Sequence, residues 1–242
     1  MIKIIKNAVL TILLLTLSIS TAFLTYLHFF ASDDKDISGE WTANLYMTEQ
    51  AAVIALDWLQ DIEGVSVSLT DIESYMQDLT IQVNLTLEQT DHLEGNFHCN
   101  ILPESYDACN QAAYEAFAKA FEDLLAKRLR MAGYTGSMDE EDIETLVTET
   151  FGMSTVSYLM SYGPALLPSM EDLQAGYDGS GTYETAEEGI LIRQFDTGGD
   201  VTAKAEHYIR KESDLILYEE TGSVSEGLFS DYYPVVYTLK QP

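Results

Sequence analysis

The stretch Leu79–Gln89, LTIQVNLTLEQ, alternates aliphatic and polar side chains along almost its whole length. Leu79, Ile81, Val83, Leu85 and Leu87 occupy every second position, and polar residues lie between them. A period of two predicts a β-strand with one face in a hydrophobic core and the other in water. One-sided burial of this kind is typical of an antiparallel sheet.

Strands of the same kind flank this stretch on both sides. Downstream, the turn TDHLEGN leads into EGNFHCNI, where Phe97, Cys99 and Ile101 share a face, so the two runs predict a β-hairpin. Upstream, GEWTANLYM at 39–47 alternates again and places Trp41 on its apolar face. The hairpin and this first strand therefore predict the beginning of an antiparallel sheet.

Other segments have helical spacing. Apolar residues at helical intervals after Thr48 predict one helix, and Thr70 with Glu73 has the spacing of a capping box, which predicts a short second one. A helical block is predicted from Glu104 to Gln174. It contains a long amphipathic helix in ESYDACNQAAYEAFAKAFEDLLAKRLRMAG, a helix capped by Ser137 and Glu140, and a third in GMSTVSYLMSYG.

From Gly176 onwards the period returns to two, in GSGTYETAEEGILIRQF, VTAKAEHYIRK, SDLILYEE and YYPVVYTLK. In VTAKAEHYIRK, one face carries Val201, Ala203, Ala205, His207 and Ile209, and the other carries Thr202, Lys204, Glu206 and Tyr208. The whole pattern predicts an α+β fold. It consists of an antiparallel barrel or strongly curved sheet of about eight strands, with an inserted helical block at 104–174.

A long apolar run precedes the first strand. Residues 8–30 contain no charged side chain, and Lys3 and Lys6 come before them. Such a run is long enough to cross a bilayer, and the basic residues predict that the N-terminus is cytoplasmic. We therefore expect a cytoplasmic tip and transmembrane signal anchor at 1–32 and an extracytoplasmic domain at 33–242. Cleavage after a small-x-small site near Ser20 is the alternative, but it would leave FLTYLHFF exposed.

The extracytoplasmic part is strongly acidic. It carries all 40 acidic residues and 10 of the 12 basic ones, a formal charge of 10 − 40 = −30. Such a surface repels nucleic acid and anionic lipid, so the sequence excludes nucleic-acid binding as a main function. An acidic excess is commonly a solubility feature, and a cationic ligand or basic partner is the other interpretation.

The chain contains few residues suited to catalysis or metal binding. It has four histidines, and His98 and Cys99 point to opposite faces of one strand, so no zinc set is predicted. The motifs G-x-S-x-G, H-E-x-x-H and C-x-x-C do not occur. We therefore predict no enzyme activity, no metal and no cofactor. Cys99 and Cys109 are candidates for a disulfide outside the cytoplasm, or for two small buried side chains.

The order of these pieces resembles a known family. The segments ISGEWTANLYMTE, LTIQVNLTLEQ with EGNFHCNI, GMS, GSGTYETAEEGILI, SDLILYEE and YYPVVYTLK are similar to segments of lipocalin-like secreted or membrane-attached proteins of Gram-positive, Clostridia-type bacteria. The chain lacks the acylated cysteine of the lipoprotein members. The resemblance implies a lipocalin-like barrel held outside the cell membrane, and it lends no catalytic residue.

Two functions follow as hypotheses. In the first, the barrel binds a small apolar ligand in a cavity lined by Trp41, Phe97, Tyr183, Tyr233 and Tyr237. The alternative for these aromatic residues is that they simply fill the barrel. In the second, the helical block contacts an envelope protein or polymer, and the barrel is its scaffold.

Overall fold

The computed structural model describes residues 36–60, 66–91, 93–186, 189–196, 201–219 and 232–240. In this part of the chain, antiparallel strands form a closed barrel in chain order, and the last strand pairs with the first. The strands are β1 Gly39–Tyr46, β2 Thr80–Gln89, β3 Glu94–Ile101, β4 Gly179–Ala186, β5 Ile190–Asp196, β6 Val201–Lys211, β7 Asp214–Glu219 and β8 Val235–Leu239. The prediction of an antiparallel barrel of about eight strands with helices is confirmed.

The helices lie in two connections between strands. Between β1 and β2 are α1 Thr48–Gln60 and α2 Leu69–Glu73. Between β3 and β4 are α3 Pro103–Met131, α4 Glu140–Phe151, α5 Thr155–Tyr162 and α6 Met170–Tyr177. The sequence patterns anticipated α3, α4 and α5. They did not anticipate α6, which extends the helical block to Tyr177.

The two ends of the barrel differ because the strands run up and down in order. The start of β1, the β2–β3 hairpin, the turn between β6 and β7 and the end of β8 share one end, here called the basal end. Backbone hydrogen bonds tie this end together, from Lys240 N to Glu40 O at 2.8 Å and from Leu239 N to Ser213 O at 2.7 Å. Both helical connections leave from the opposite end, here called the helical end.

The register places the predicted apolar faces inside. Trp41 pairs with Leu85, and Leu85 pairs with Cys99, so these three side chains lie on the same face of adjacent strands. The lumen is built from such inward positions. They include Ala43, Leu45, Ile81, Val83, Leu87, Phe97, Ile101, Tyr183, Leu191, Tyr208, Leu215, Leu217, Val235 and Tyr237, all of them buried.

Strand β6 turns its polar face inward. Leu191 pairs with Glu206 and Tyr208 pairs with Leu217, so the buried partners hold Glu206 and Tyr208 inside. The opposite face lies outside, and Ile209 is 50% exposed. The hydrophobic alternation of this strand alone would favour the reverse orientation. The register set by β5 and β7 decides the orientation, because a shift of one residue would turn every side chain of β6 over.

The helix caps differ from the predicted ones. The capping box of α2 is formed by Ser68 and Asp71 rather than by Thr70 and Glu73. Helix α4 is capped by Asp139, whose carboxylate accepts from Asp142 N at 3.1 Å, rather than by a Ser137–Glu140 pair. A cap requires an extended residue where the helix begins, and Ser68 and Asp139 are extended at those points.

No helix in the described ranges has both the length and the apolar character needed to cross a bilayer. The predicted membrane span at residues 8–30 lies outside those ranges.

Candidate functional site

The structure brings the five predicted aromatic residues into one lumen. Trp41, Phe97, Tyr183 and Tyr237 are buried on the inner faces of β1, β3, β4 and β8. Tyr233 precedes β8 and is half-buried. They contact other side chains of the chain, as described below, and their use as ligand contacts stays a prediction.

Trp41 occupies the basal end of the lumen. It is fully buried, and its indole Nε1 donates a hydrogen bond to Ile37 O at 2.9 Å. The guanidinium carbon of Arg210 lies 5.7 Å from the centroid of the indole ring, within range of a cation–π contact. Trp41 therefore ties the segment before β1 to the core and closes this end.

A buried ion pair joins the adjacent strands β5 and β6 on the lumen side of the barrel. Arg193 Nε donates to Glu206 Oε2 at 2.7 Å and Arg193 Nη2 donates to Glu206 Oε1 at 2.8 Å, a bidentate geometry. The two side chains are only 5% and 1% exposed. Burial is the largest single influence and lowers the pKa of Arg193, but the Glu206 carboxylate raises it together with Cys99, Tyr237 and Tyr233, and the net direction is upward. Arg193 therefore stays charged and depends on Glu206.

Aromatic rings and glycines shape the space around Arg193. Its guanidinium carbon lies 5.6 Å from the centroid of Phe97 and 5.4 Å from that of Phe195. The same two rings pack edge to face at 4.9 Å. Strand β4 contributes Gly179 and Gly181 at this point, where a Cβ atom would lie 2.7 Å from Phe195 and 1.9 Å from the carbonyl oxygen of Gln194. Close approach of β5 therefore requires glycine in β4.

The ion pair is linked to the helical end of the barrel. The Tyr233 hydroxyl donates to Glu206 Oε1, and Lys204 Nζ lies 3.7 Å from the same oxygen. Lys204 also lies 4.9 Å from the centroid of the Tyr233 ring, and its side chain is 29% exposed. Burial raises the pKa of Tyr233, and the Glu206 carboxylate raises it further. Burial lowers the pKa of Lys204, although Glu206 opposes that shift.

Helix α6 closes the lumen at the helical end of the barrel. It ends at Tyr177, whose hydroxyl lies 2.7 Å from the Tyr237 hydroxyl and donates to Asn84 O at 3.2 Å. Cys99 Sγ donates to the carbonyl oxygen of Tyr177 at 2.9 Å. Burial raises the pKa of both tyrosines. The helical block and the barrel therefore share one hydrogen-bonded core.

The basal half of the lumen is filled by its own side chains. A void large enough for water would leave accessible surface on the residues around it. Trp41, Leu85, Leu191 and Leu215 each have 0% exposure. Among the described residues, the basal half of the lumen therefore leaves no room for a ligand, and a ligand would have to bind at the helical end.

The cysteines and the acidic residues show no reactive arrangement. Cys99 and Cys109 are both buried free thiols, and burial raises the pKa of each to about 11. Thiols of that kind are protonated at neutral pH and react slowly. The described residues contain no group of three or more His, Cys, Asp or Glu side chains placed to hold a metal ion.

A row of aromatic rings crosses the outside of the helices. We call it the aromatic stripe, and it consists of Trp58, Phe121, Tyr158, Phe151 and Tyr162. The ring centroids of Trp58 and Phe121 lie 5.9 Å apart, and those of Phe121 and Tyr158 lie 6.4 Å apart. Tyr158 then contacts two further rings, with centroid distances of 4.4 Å to Phe151 and 5.4 Å to Tyr162. The stripe emerges into solvent at its far end, where Phe151 is 47% and Tyr162 is 66% exposed.

Two carboxyl groups lie beneath the stripe-bearing helices. Glu122 of α3 is buried and is in hydrogen-bond contact with Glu144 of α4. Glu144 also accepts from Thr155 N of α5 at 3.1 Å and from the Thr155 hydroxyl. Burial raises the pKa of Glu122 from its ordinary value of 4.5 to about 7; Thr155 lowers it and Glu144 raises it further. The pair therefore shares a proton below neutral pH.

This pair predicts a pH-dependent stability. The protonated form of Glu122 is favoured in the fold, so its contribution is complete below about pH 4.5 and is lost as the pH rises through about 7. At pH 8 we expect the free energy of unfolding of Glu122→Gln to exceed that of the wild type by on the order of 2 kcal/mol. At pH 4.5 the two free energies should differ little. Urea unfolding at both pH values measures this difference.

Glu141→Gln is the matched control, because Glu141 is an exposed residue on α4. Its stability should follow the wild type at both pH values. Lys119 and Glu140, which line the adjacent clefts with Glu122, remain unchanged in both variants. A Glu122→Gln variant that is no more stable than the wild type at pH 8 would contradict the shared proton.

Comparisons of the chain with protein-family models, with curated proteins and with solved structures gave no match.

Sequence reasoning missed three residues that organise the lumen. Arg193 and Glu206 belong to strands that were correctly identified, but nothing in the alternation pairs one with the other. The polar face of β6 was a signal, because a strand without a clear apolar face can bury either side. Tyr177 lies in the unpredicted helix α6, and the serine at its N-cap, Ser169, followed by Asp172, was the available signal.

Proposed function

We propose that this protein is a membrane-anchored, extracytoplasmic module with a lipocalin-like barrel, and that it binds an envelope protein through its helical block. The protein carries out no chemistry in this role. The observation that supports the proposal most directly is the aromatic stripe, in which Phe151 of α4, 47% exposed, and Tyr162 of α5, 66% exposed, both pack against Tyr158.

Exposed aromatic side chains in contact are unusual on a monomeric surface and are typical of protein interfaces. Six of the large apolar side chains that are exposed lie between Met131 and Tyr162. They are Met131, Tyr134, Leu146, Phe151, Met160 and Tyr162. The filled basal half of the lumen favours the same role, because a barrel that is packed with its own side chains is well suited to be a rigid scaffold.

The topology supports the direction in which this surface is presented. The anchor proposed at residues 8–30 leads into β1 at the basal end, and residues 31–38 can span at most about 29 Å when fully extended. The helical block leaves the opposite end, roughly 20 Å further away for tilted strands of this length. With such an anchor, the aromatic stripe faces away from the membrane and towards the envelope.

A second function is favoured by a different observation. At the helical end, the partly exposed amine of Lys204 lies beside the half-buried ring of Tyr233. This combination suits a small amphipathic ligand with an acidic group, which would bind at the mouth and not deep in the lumen. Native mass spectrometry of the full chain extracted from its own envelope, in a non-denaturing detergent, tests this second function. A retained small-molecule mass supports it, and a bare chain rejects it.

Site-specific photo-crosslinking tests the main proposal. A photoreactive phenylalanine analogue replaces Tyr162 in the full chain, and cells of the native host are irradiated. We expect one discrete adduct from this position. The control is the same analogue at Tyr46, which is 72% exposed on the outer face of β1 and is not part of the stripe. No adduct at Tyr162, or the same adduct from both positions, would reject the proposal.

A further inference from the structure

We infer that the aromatic stripe binds a cationic segment of a partner protein, one in which lysine or arginine side chains alternate with apolar ones. This inference rests on the proposed function, since it specifies the chemistry of the partner that the helical block binds. The charges of α1, α4 and α5 and the ring geometry at the exposed end of the stripe support it.

Four helices contribute rings to the stripe, and three of them carry charges of one sign. The fourth, α3, which contributes Phe121, carries five acidic and four basic residues. Helices α1, α4 and α5 contain no lysine, arginine or histidine. They carry seven acidic residues: Glu49, Asp57, Glu140, Glu141, Asp142, Glu144 and Glu149. Between Arg130 on α3 and Arg193 in the lumen the chain has no basic residue. A partner that approaches this side of the block therefore meets a negative potential.

The rings supply the second part of the recognition. Tyr158 lies 4.4 Å from Phe151 and 5.4 Å from Tyr162 between ring centroids, at tilted angles of 33° and 40°. Tilted rings of this kind present both faces and edges to one approaching side chain. A guanidinium or ammonium group over an aromatic face is stabilised by the ring quadrupole, and nearby carboxylates add to that attraction. Apolar residues of the same segment would cover Met160, which is 45% exposed.

The same charges exclude other partners. An anionic lipid surface or an acidic polymer would be repelled by α4, whose first turn carries three acidic residues. Because the stripe lies on the helical end, away from the proposed anchor, contact with the chain's own membrane is also disfavoured by distance. A positively charged protein segment satisfies both the aromatic rings and the carboxylates.

Defined peptides test this inference on the full chain in detergent. The probes are a fluorescently labelled amphipathic peptide of lysine and leucine and its counterpart of glutamate and leucine. Anisotropy of the label measures binding. The emission of Trp58 reports binding at the stripe, because the other tryptophan of the chain, Trp41, is fully buried inside the barrel. We expect the lysine peptide to bind and shift the Trp58 emission, and the glutamate peptide not to bind.

Matched variants locate the binding. Tyr162→Ser and Phe151→Ser should each weaken binding of the lysine peptide by about tenfold, the effect of losing one well-packed aromatic contact. Tyr134→Ser is the control, because Tyr134 is 56% exposed in the same block but is not part of the stripe. Added salt should weaken the lysine peptide further, since screening reduces the attraction of the carboxylates.

Equal binding of both peptides, an equal loss in Tyr134→Ser, or binding to anionic vesicles in place of the lysine peptide would overturn the inference. If the lysine peptide fails while Tyr162 crosslinks to a discrete partner in cells, the cationic segment is rejected and the proposed function stands. If the crosslink also fails, the proposed function is rejected as well.

Discussion

Replacing Glu206 with glutamine is expected to lower the free energy of unfolding by about 3–5 kcal/mol, because it leaves a charged guanidinium without a counter-ion inside the barrel. Arg193 donates two charge-assisted hydrogen bonds to this one carboxylate. The Arg193 side chain is 5% exposed, so water cannot replace the lost charge. Equilibrium unfolding in guanidinium chloride measures the loss as a fall in the midpoint.

Two further variants make this prediction specific to burial. In Arg193→Met with Glu206→Leu, both charges are removed, and we expect much of the lost stability to return. Glu40→Gln is the matched surface control, because Glu40 forms an ion pair with Lys240 at 3.8 Å in which both side chains are more than half exposed. The free energy of unfolding of Glu40→Gln should lie within about 1 kcal/mol of that of the wild type. A Glu206→Gln variant as stable as Glu40→Gln would show that Arg193 does not need its partner.

Trp41→Ala is expected to cost about 3–5 kcal/mol, the range for removing a large buried aromatic side chain. The substitution empties the basal end of the lumen, removes the hydrogen bond to Ile37 O and takes away the ring beneath Arg210. Residues 36–38 lose their attachment to the core. Urea unfolding, together with limited proteolysis near residue 37, measures both effects.

Two comparisons separate the packing term from the loss of the hydrogen bond. Trp41→Phe keeps most of the apolar volume and loses the indole N–H, so we expect a smaller loss than for alanine. Trp58→Ala is the control, because Trp58 is half-buried on the outside of the helices and should cost clearly less. Equal losses for Trp41→Ala and Trp58→Ala would contradict the view that Trp41 closes the barrel.

Both predictions bear on the proposed function. The helical block, which carries four of the five stripe rings, is joined to the barrel at its end by Tyr177 and by Asp178, whose carboxylate accepts from Ile101 N at 2.8 Å. A lumen destabilised at Glu206 or Trp41 would therefore loosen the surface that is proposed to bind. Binding assays on these variants should be read beside their stability and not as direct evidence of contact.

The apolar alternation of the sequence determined the barrel. Thr80–Gln89 and Glu94–Ile101 form strands at the expected positions, because a strict period of two leaves only one face that can enter the core. The same reasoning placed Trp41 and Tyr237 inside. The helical block was recognised from its change of period, although its last helix was not.

The tertiary structure decided what the pattern left open. Strand β6 has no strong apolar face, so the pairing of Glu206 with Leu191 and of Tyr208 with Leu217 selected the side that is buried. The caps of α2 and α4 moved to Ser68 and Asp139, which are extended where each helix begins. Short-range spacing allows both alternatives in each case and does not decide between them.

For the aromatic residues too, the sequence predicts which face is buried and the tertiary structure decides which residues are in contact. From the sequence, Trp41, Phe97, Tyr183, Tyr233 and Tyr237 belong to one lumen, since each lies on the apolar face of a strand or beside it. The sequence does not reveal that Arg193 lies against Phe97 and pairs with Glu206, which is thirteen positions away in the next strand. Nor does it reveal the stripe from Trp58 to Tyr162, whose rings come from α1, α3, α4 and α5. Local periodicity determines which face of an element is buried, whereas contacts between elements exist only once the chain has closed on itself.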